Sequence, residues 1–229
     1  INEPLIWASG SYLKGKWPPF RKNPITFLRI INALTTSHKE AYRQIKLVEP
    51  QAQVGIAKHN IYFDSNLNPW NQVRKHFSLW FWNRRFLNNI KDYQDFIGLN
   101  YYLYKKFGGN PHLPKSDMGW DIFPLGLYFC LMELKRYKKP IYVTENGVAD
   151  KQDLLRAKFV KDSVGSVWEA LKDGVPVKGY FYWSLLDNYE WSFGFEKRFG
   201  LIEVNYDTLE RRVRNSALVY KGIIEKNAL

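Results

Sequence analysis

The chain predicts an α/β fold in which parallel strands are joined by helical crossovers. Short β-branched and aromatic runs alternate with longer segments of helical periodicity, and no low-complexity linker breaks the alternation. Two of the runs end by delivering a polar residue, Asn100 or Glu145, to a loop. At 229 residues the chain is long enough for one domain with a sizeable core, and residues 1–229 read as a single domain.

Asn23-Pro24 reads as an N-cap followed by proline at the first helical position. Ile25, Leu28, Ile31, Leu34, Ala41 and Ile45 then recur at helical spacing, predicting a helix over 24–47 that Pro50 closes. Residues 53–57 predict the next strand. From Trp70 to Ile90 the pattern is again helical and rich in rings, with Phe77, Trp80, Phe81, Trp82 and Phe86 expected to pack the helix layer against the strands. Asp95 to Asn100 predict a strand that carries Asn100, Tyr101 and Tyr102 to its loop end. A helix over 125–137, a strand over 141–145, a helix over 153–172 and a last strand over 177–183 follow. Residues 200–206 predict a short extended segment and 215–226 a terminal helix.

Glu145 ends the run Ile141-Tyr142-Val143-Thr144 and precedes Asn146-Gly147, a pair that forms loops. A carboxylate at the C-terminal end of a parallel strand stands where the catalytic residues of α/β barrels collect. Glu3, in Asn2-Glu3-Pro4, is a second lone glutamate where a strand should run into a loop. Two such groups suit cleavage of a glycosidic bond with retained configuration. One attacks the anomeric carbon and the other, roughly 5–5.5 Å away, protonates the departing oxygen.

Asn2-Glu3-Pro4, Thr144-Glu145-Asn146-Gly147 and the block Trp183-Ser184-Leu185-Leu186-Asp187-Asn188-Tyr189-Glu190-Trp191, followed by Lys197-Arg198-Phe199-Gly200-Leu201, stand in a telling order. It is the order of glycoside hydrolase family 1, the β-glucosidase and β-galactosidase family, which the chain resembles. Either short motif alone is weak; the Trp-to-Trp block is the specific part. The resemblance implies a (β/α)8 TIM barrel, of which the chain covers the end of strand 4 to strand 8. A full barrel takes about 250 residues, and Asn-Glu-Pro closes the family's fourth strand. The first residue, Ile1, suits a piece of a longer chain, so an N-terminal half-barrel, in the same or a separate chain, is an expected partner.

The resemblance further implies that Glu145 is the nucleophile and Glu3 the acid/base. Asn2 would hydrogen-bond the sugar's 2-hydroxyl, and Tyr102 would hold an oxygen of Glu145 with Asn100 nearby. Trp183 would offer its ring face to the pyranose, Glu190 would accept from the 4- and 6-hydroxyls, and Trp191 would donate to the 3-hydroxyl. Phe199 would close the pocket near C6, and Trp120 would lie on the leaving-group side. Glu190 argues for an unphosphorylated sugar, because relatives that cleave 6-phosphorylated sugars lack a carboxylate there. Glu3, where plant thioglucosidases carry glutamine, argues for an O-glycosidase. Two carboxyl groups and water complete the reaction, so neither a metal nor a cofactor is expected. Leu5 departs from the family, where many relatives place tryptophan after Asn-Glu-Pro, and the linkers 105–120 and 147–153 are short for it. The glutamine, His-Trp pair and arginine that the family draws from its first strands have no assigned counterpart.

The formal charge of +12 raises the question of a nucleic acid or an anionic surface. The basic residues are scattered, as at Lys14, Arg84, Lys135 and Arg211, without a stripe of interleaved aromatics, so neither nucleic acid nor a membrane is an expected partner. Cys130, the single cysteine, lies in the apolar run 125–131 and reads as a packed thiol. It excludes an internal disulfide and points to a reducing, cytoplasmic compartment. The expected partners are a small-molecule glycoside or oligosaccharide, the complementary half-barrel and, through open sheet edges, a second copy. The competing expectation is a catalytically inert half-barrel that binds carbohydrate or assembles with a complementary half.

Overall fold

The computed structural model describes residues 1–109 and 112–228. In chain order the elements are α1 (Pro4–Ala8), α2 (Pro24–Val48), β1 (Gly55–Ser65), α3 (Pro69–Ser78), α4 (Arg85–Ile90), β2 (Phe96–Phe107) and α5 (Leu125–Leu134). They continue with β3 (Ile141–Asn146), α6 (Arg156–Lys172), β4 (Val177–Tyr182), β5 (Ile202–Val204), β6 (Arg211–Val213) and α7 (Asn215–Lys226). π-Helical turns occupy Ser9–Leu13 and Leu79–Arg84. The linker expected to be short, 105–120, includes residues 110 and 111, which lie outside the described residues.

Strands β1 to β4 form one parallel sheet in sequence order. Parallel neighbours need crossover connections, which the intervening helices supply. Beyond β1, Asn2 adds a single parallel bridge to Ala57, in the place expected for the end of a preceding strand. β5 and β6 form a separate antiparallel pair.

Local chemistry sets the helix boundaries. Asn23 Oδ1 accepts from the Thr26 amide at 2.9 Å and Pro24 takes the first turn, as predicted. α6 begins at Arg156 instead of 153 because Asp150 Oδ2 accepts from the amides of Leu155 at 2.7 Å and Arg156 at 3.0 Å. An aspartate outside the helix thus satisfies donors that the first turn leaves unpaired.

The main core lies between the sheet and α2, α4 and α5. Ile31, Phe86, Leu87, Ile90, Ile97, Leu99, Leu127, Leu131 and Val143 are buried in it. Each such side chain contributes about 1.5–3 kcal/mol on removal from water. Cys130 is buried there, as expected of a packed thiol. α5 rides close on β2: a Cβ at Gly126 would stand 1.8 Å from the Tyr101 hydroxyl. A second cluster, of Val148, Phe159, Val160, Tyr182 and Leu201, seats α6 and α7 beside β4.

The expected aromatic packing over 70–90 holds only in part. Phe86 is buried, and Phe81 and Trp82 are packed against the core, but Phe77 and Trp80 are 60% and 46% exposed. The π-helical turn at Leu79–Arg84 takes up more residues per turn and rotates the apolar face, so the rings of α3 look outward while those of α4 meet the core. Among the described residues no helix is long and apolar enough to cross a membrane.

Candidate active site

The sheet register brings the polar residues at the strand ends into one layer. His59 of β1 pairs with Asn100 of β2, and Asn100 pairs with Glu145 of β3. The second pairing depends on a bulge after Leu99, where the ladder skips Thr144. Thr144 Oγ1 instead donates to Asn100 Oδ1 at 2.6 Å.

Asn100 is fully buried and links the two candidate carboxylates' segments. Its Nδ2 donates to Glu3 Oε1 at 2.9 Å and to Asn2 Oδ1 at 3.2 Å. Glu3 is further fixed by its backbone, whose N–H donates to Ala57 O at 2.9 Å. Its φ of 43° lies in the left-handed region, a sparsely populated conformation for glutamate that the surrounding contacts must hold. On the other side of the layer, the Tyr102 hydroxyl donates to Glu145 Oε2 at 3.0 Å.

Burial acts on both groups, and their hydrogen-bond partners differ. Burial, with the charges of Glu145 and Glu190, pushes the Glu3 carboxyl up to about 7, against the opposing pull of the Asn100 hydrogen bond and Lys58. Burial also raises Glu145, but hydrogen bonds from Tyr102, Asn100 and Asn2 oppose it. Glu190 is raised by burial and then by the charge of Glu145, so it faces the same site. Hydrogen bonds to a carboxylate favour its ionised form, whereas burial and like charges disfavour it.

Aromatic rings wall the layer. Tyr102 meets Trp120 edge-on at 5.9 Å and Phe199 at 6.3 Å, and Trp120 lies 6.4 Å from Phe199. Trp183 follows β4; its amide donates to Asn146 O at 3.0 Å, and its peptide to Ser184 is cis. A Cβ at Gly147 would stand 1.9 Å from the Trp183 carbonyl oxygen, so the loop after Glu145 and the loop after β4 meet backbone to backbone. Asp187, buried, accepts from Gly200 N at 2.9 Å and from Arg214 Nη1 at 3.0 Å, pinning the segment that carries Phe199.

Asn2, Glu3, Asn100, Tyr102 and Glu145 are therefore joined by hydrogen bonds, with Trp120 and Phe199 against Tyr102. Trp191 stands apart from that network: it stacks on Trp17 at 5.1 Å and is 57% exposed. Sequence reasoning missed Trp17, Lys58 and His59. His59 stacks on Tyr102 at 6.1 Å with 10° between the planes, and Lys58 is buried beside it. The signal was available: Lys58-His59-Asn60 follows an apolar strand run as Glu145-Asn146 does. Among the described residues no group of three His, Cys, Asp or Glu is arranged to hold a metal ion.

Residues 104–229 match the family model described as glycosyl hydrolase family 1. Over its full length the chain is 30% identical to β-glucosidase A of Thermotoga maritima and 34% identical to a β-galactosidase of Saccharolobus solfataricus. The chain belongs to glycosyl hydrolase family 1. It spans 63% of the length of the first of these relatives and 55% of the second. All of it superposes on 63% of the family 1 β-glucosidase of Thermotoga maritima in complex with isofagomine lactam, with a TM-score of 0.92 and 29% identity. The β-glycosidase of Pyrococcus horikoshii matches 97% of the chain over 59% of its own, with a TM-score of 0.88 and 34% identity. The four-stranded parallel sheet is part of a (β/α)8 barrel, in which this chain supplies the C-terminal portion.

Proposed function

We propose that the chain carries the chemistry of a retaining O-glycosidase acting on terminal, unphosphorylated β-D-glucosides or β-D-galactosides. Supporting this reading above all is the gathering of two glutamates at one end of the sheet: Glu3, bonded by Asn100 and pushed up to about 7, and Glu145, bonded by the Tyr102 phenol. Paired carboxyls whose environments separate their pKa values serve as acid and nucleophile.

In the first step a Glu145 oxygen bonds to the anomeric carbon as the glycosidic bond breaks, and the Glu3 proton goes to the leaving oxygen. In the second, Glu3, now a carboxylate, takes a proton from water while the water oxygen bonds to the same carbon. Glu145 departs as carboxylate and both groups return to their starting forms. In this reading Asn2 hydrogen-bonds the 2-hydroxyl and Glu190 the 4- and 6-hydroxyls, while Trp191, stacked on Trp17 and exposed, would have to turn toward the sugar to serve the 3-hydroxyl. Trp183 lies under the ring, with Phe199 near C6 and Trp120 on the leaving-group side. Cys130, buried and alone, fits a reducing compartment.

A second reading is favoured by the sheet itself. β4 ends it with no further strand among the described residues, and only the Asn2 bridge extends it past β1. Such edges pair readily, which suits a half-barrel that binds carbohydrate, or that assembles with complementary strands or a second copy. Glu145→Gln decides between the readings: an enzyme loses turnover of an aryl β-glucoside, whereas a binder shows no turnover to lose and keeps its ligand in calorimetry.

A further inference from the structure

Lys58 is buried at 2% exposure, yet among the described residues its ammonium has only neutral acceptors. Nζ donates to the His59 carbonyl, to Trp82 O at 2.7 Å and to Asn60 Oδ1 at 3.3 Å. A buried cation without a bonded carboxylate is costly, so its place on the strand calls for a physical reason. The strand supplies one. Ala57, the residue before, accepts the Glu3 amide at 2.9 Å. His59, the residue after, stacks on the tyrosine that donates to Glu145. The Trp82 bond anchors this stretch of β1 to the π-helical turn outside the sheet.

We propose that Lys58 is a positioning residue for the acid/base Glu3: it fixes the end of β1 on which Glu3 rests, and its charge stabilises the carboxylate that Glu3 becomes in the second step. The inference rests on the glycosidase reading. Glu3 must alternate between acid and carboxylate, while burial, Glu145 of β3 and Glu190 after β4 all favour the protonated form. Lys58 is the cation that opposes them, alongside the neutral Asn100 amide. Reciprocally, burial lowers Lys58 to about 8 against the carboxylate of Glu3 and the influence of Glu133 and Cys130 on α5. It is therefore charged at neutral pH. Arg84 engages Glu133 at 2.8 Å, which limits its hold on Lys58. His59, under burial, Lys58 and Lys14, is lowered to about 3 and stays neutral, so it does not compete.

The test is a carboxyl-carbon NMR titration of the 13C-glutamate-labelled chain, with the Glu3 signal assigned by Glu3→Gln. In Lys58→Met the Glu3 midpoint is expected to rise by about one pH unit, whereas Lys58→Arg keeps it near the parent value. A purely structural role would lower the melting temperature of Lys58→Met and leave the Glu3 midpoint where it is, which overturns the proposal. If Lys58→Met does not fold, the reciprocal experiment decides: Glu3→Gln lowers the Lys58 midpoint, read on its ε-carbon, and an unmoved midpoint overturns the proposal. Neither readout needs turnover. A coupled pair in a chain that hydrolyses nothing would sink the glycosidase reading alone; an active chain with an uncoupled pair would sink this inference alone.

Discussion

The Tyr102 hydroxyl donates to Glu145 Oε2 across the β2–β3 pair at 3.0 Å, and the phenol itself is held by rings on three sides, His59, Trp120 and Phe199. A donor with so little freedom fixes one oxygen of the glutamate, which in the proposed reaction leaves the other for attack. Tyr102→Phe should therefore slow formation of the glycosyl-enzyme about 10- to 100-fold, the worth of a hydrogen bond to a charged group. Pre-steady-state kinetics with a dinitrophenyl glycoside measures that step directly.

Activity should fall on the alkaline side as Glu3 loses its proton near 7, and on the acid side as Glu145 gains one. Glu3→Gln should abolish the alkaline limb, spare the first step only for leaving groups that need no proton, and be rescued by azide. A kcat/KM profile of Glu3→Gln that still falls near neutrality would assign that limb to another group.

The same shift bears on stability. A carboxyl raised when folded from 4.5 to about 7 stabilises the native state fully below its ordinary value, and that contribution is lost as pH rises through about 7. The change is on the order of 3 kcal/mol as an upper bound. Glu3→Gln should thus be relatively more stable than the parent at pH near 8 than at pH near 5, measured by urea unfolding.

Gly147→Ala places a methyl against the Trp183 carbonyl, 1.9 Å from its oxygen. The backbone must move, and with it the loop that follows Glu145. A destabilisation of about 1–3 kcal/mol is expected, with a larger loss in kcat than in ligand affinity. Thermal unfolding and steady-state kinetics separate the two.

Arg156 is fully buried and bonds Asp153, the Asp150 carbonyl, the Tyr182 hydroxyl at 3.0 Å and the Arg198 carbonyl at 3.0 Å. Arg156→Met leaves Asp153 without its cation and the Arg198 carbonyl, one residue before Phe199, with the Asp150 amide as its remaining donor. Unfolding should show a loss of about 3–5 kcal/mol; a loss below about 1 kcal/mol would mean that the arginine is dispensable to the loop.

Much of this arrangement was legible in the chain. The helix ends at Pro24 and at 215–226 follow from caps and periodicity, and the candidate nucleophile Glu145 stands at a strand end where a β-branched run meets Asn-Gly. Other parts depend on contacts that a local pattern does not carry. β1 runs past Ala57 to Ser65 because its second half pairs with an equally prolonged β2, from Ile61 opposite Leu103 onward. β6 is an Arg-Arg-Val run with no buried side chain, defined only by its pairing with β5. A lysine after an apolar run looks like the exit to solvent, whereas Lys58 is held in the interior by contacts that include the carbonyl of Trp82, brought by a π-helical turn distant in sequence.

The most direct measurement is the intact mass of the purified chain before and after incubation with a 2-deoxy-2-fluoro-β-glucoside bearing a good leaving group. The fluorine slows hydrolysis of the intermediate, so a working nucleophile is caught as its ester. A stoichiometric mass gain that maps to Glu145 and disappears in Glu145→Gln is the predicted result. No gain, or a label on another residue, would contradict the assignment of Glu145 as the nucleophile of this chain.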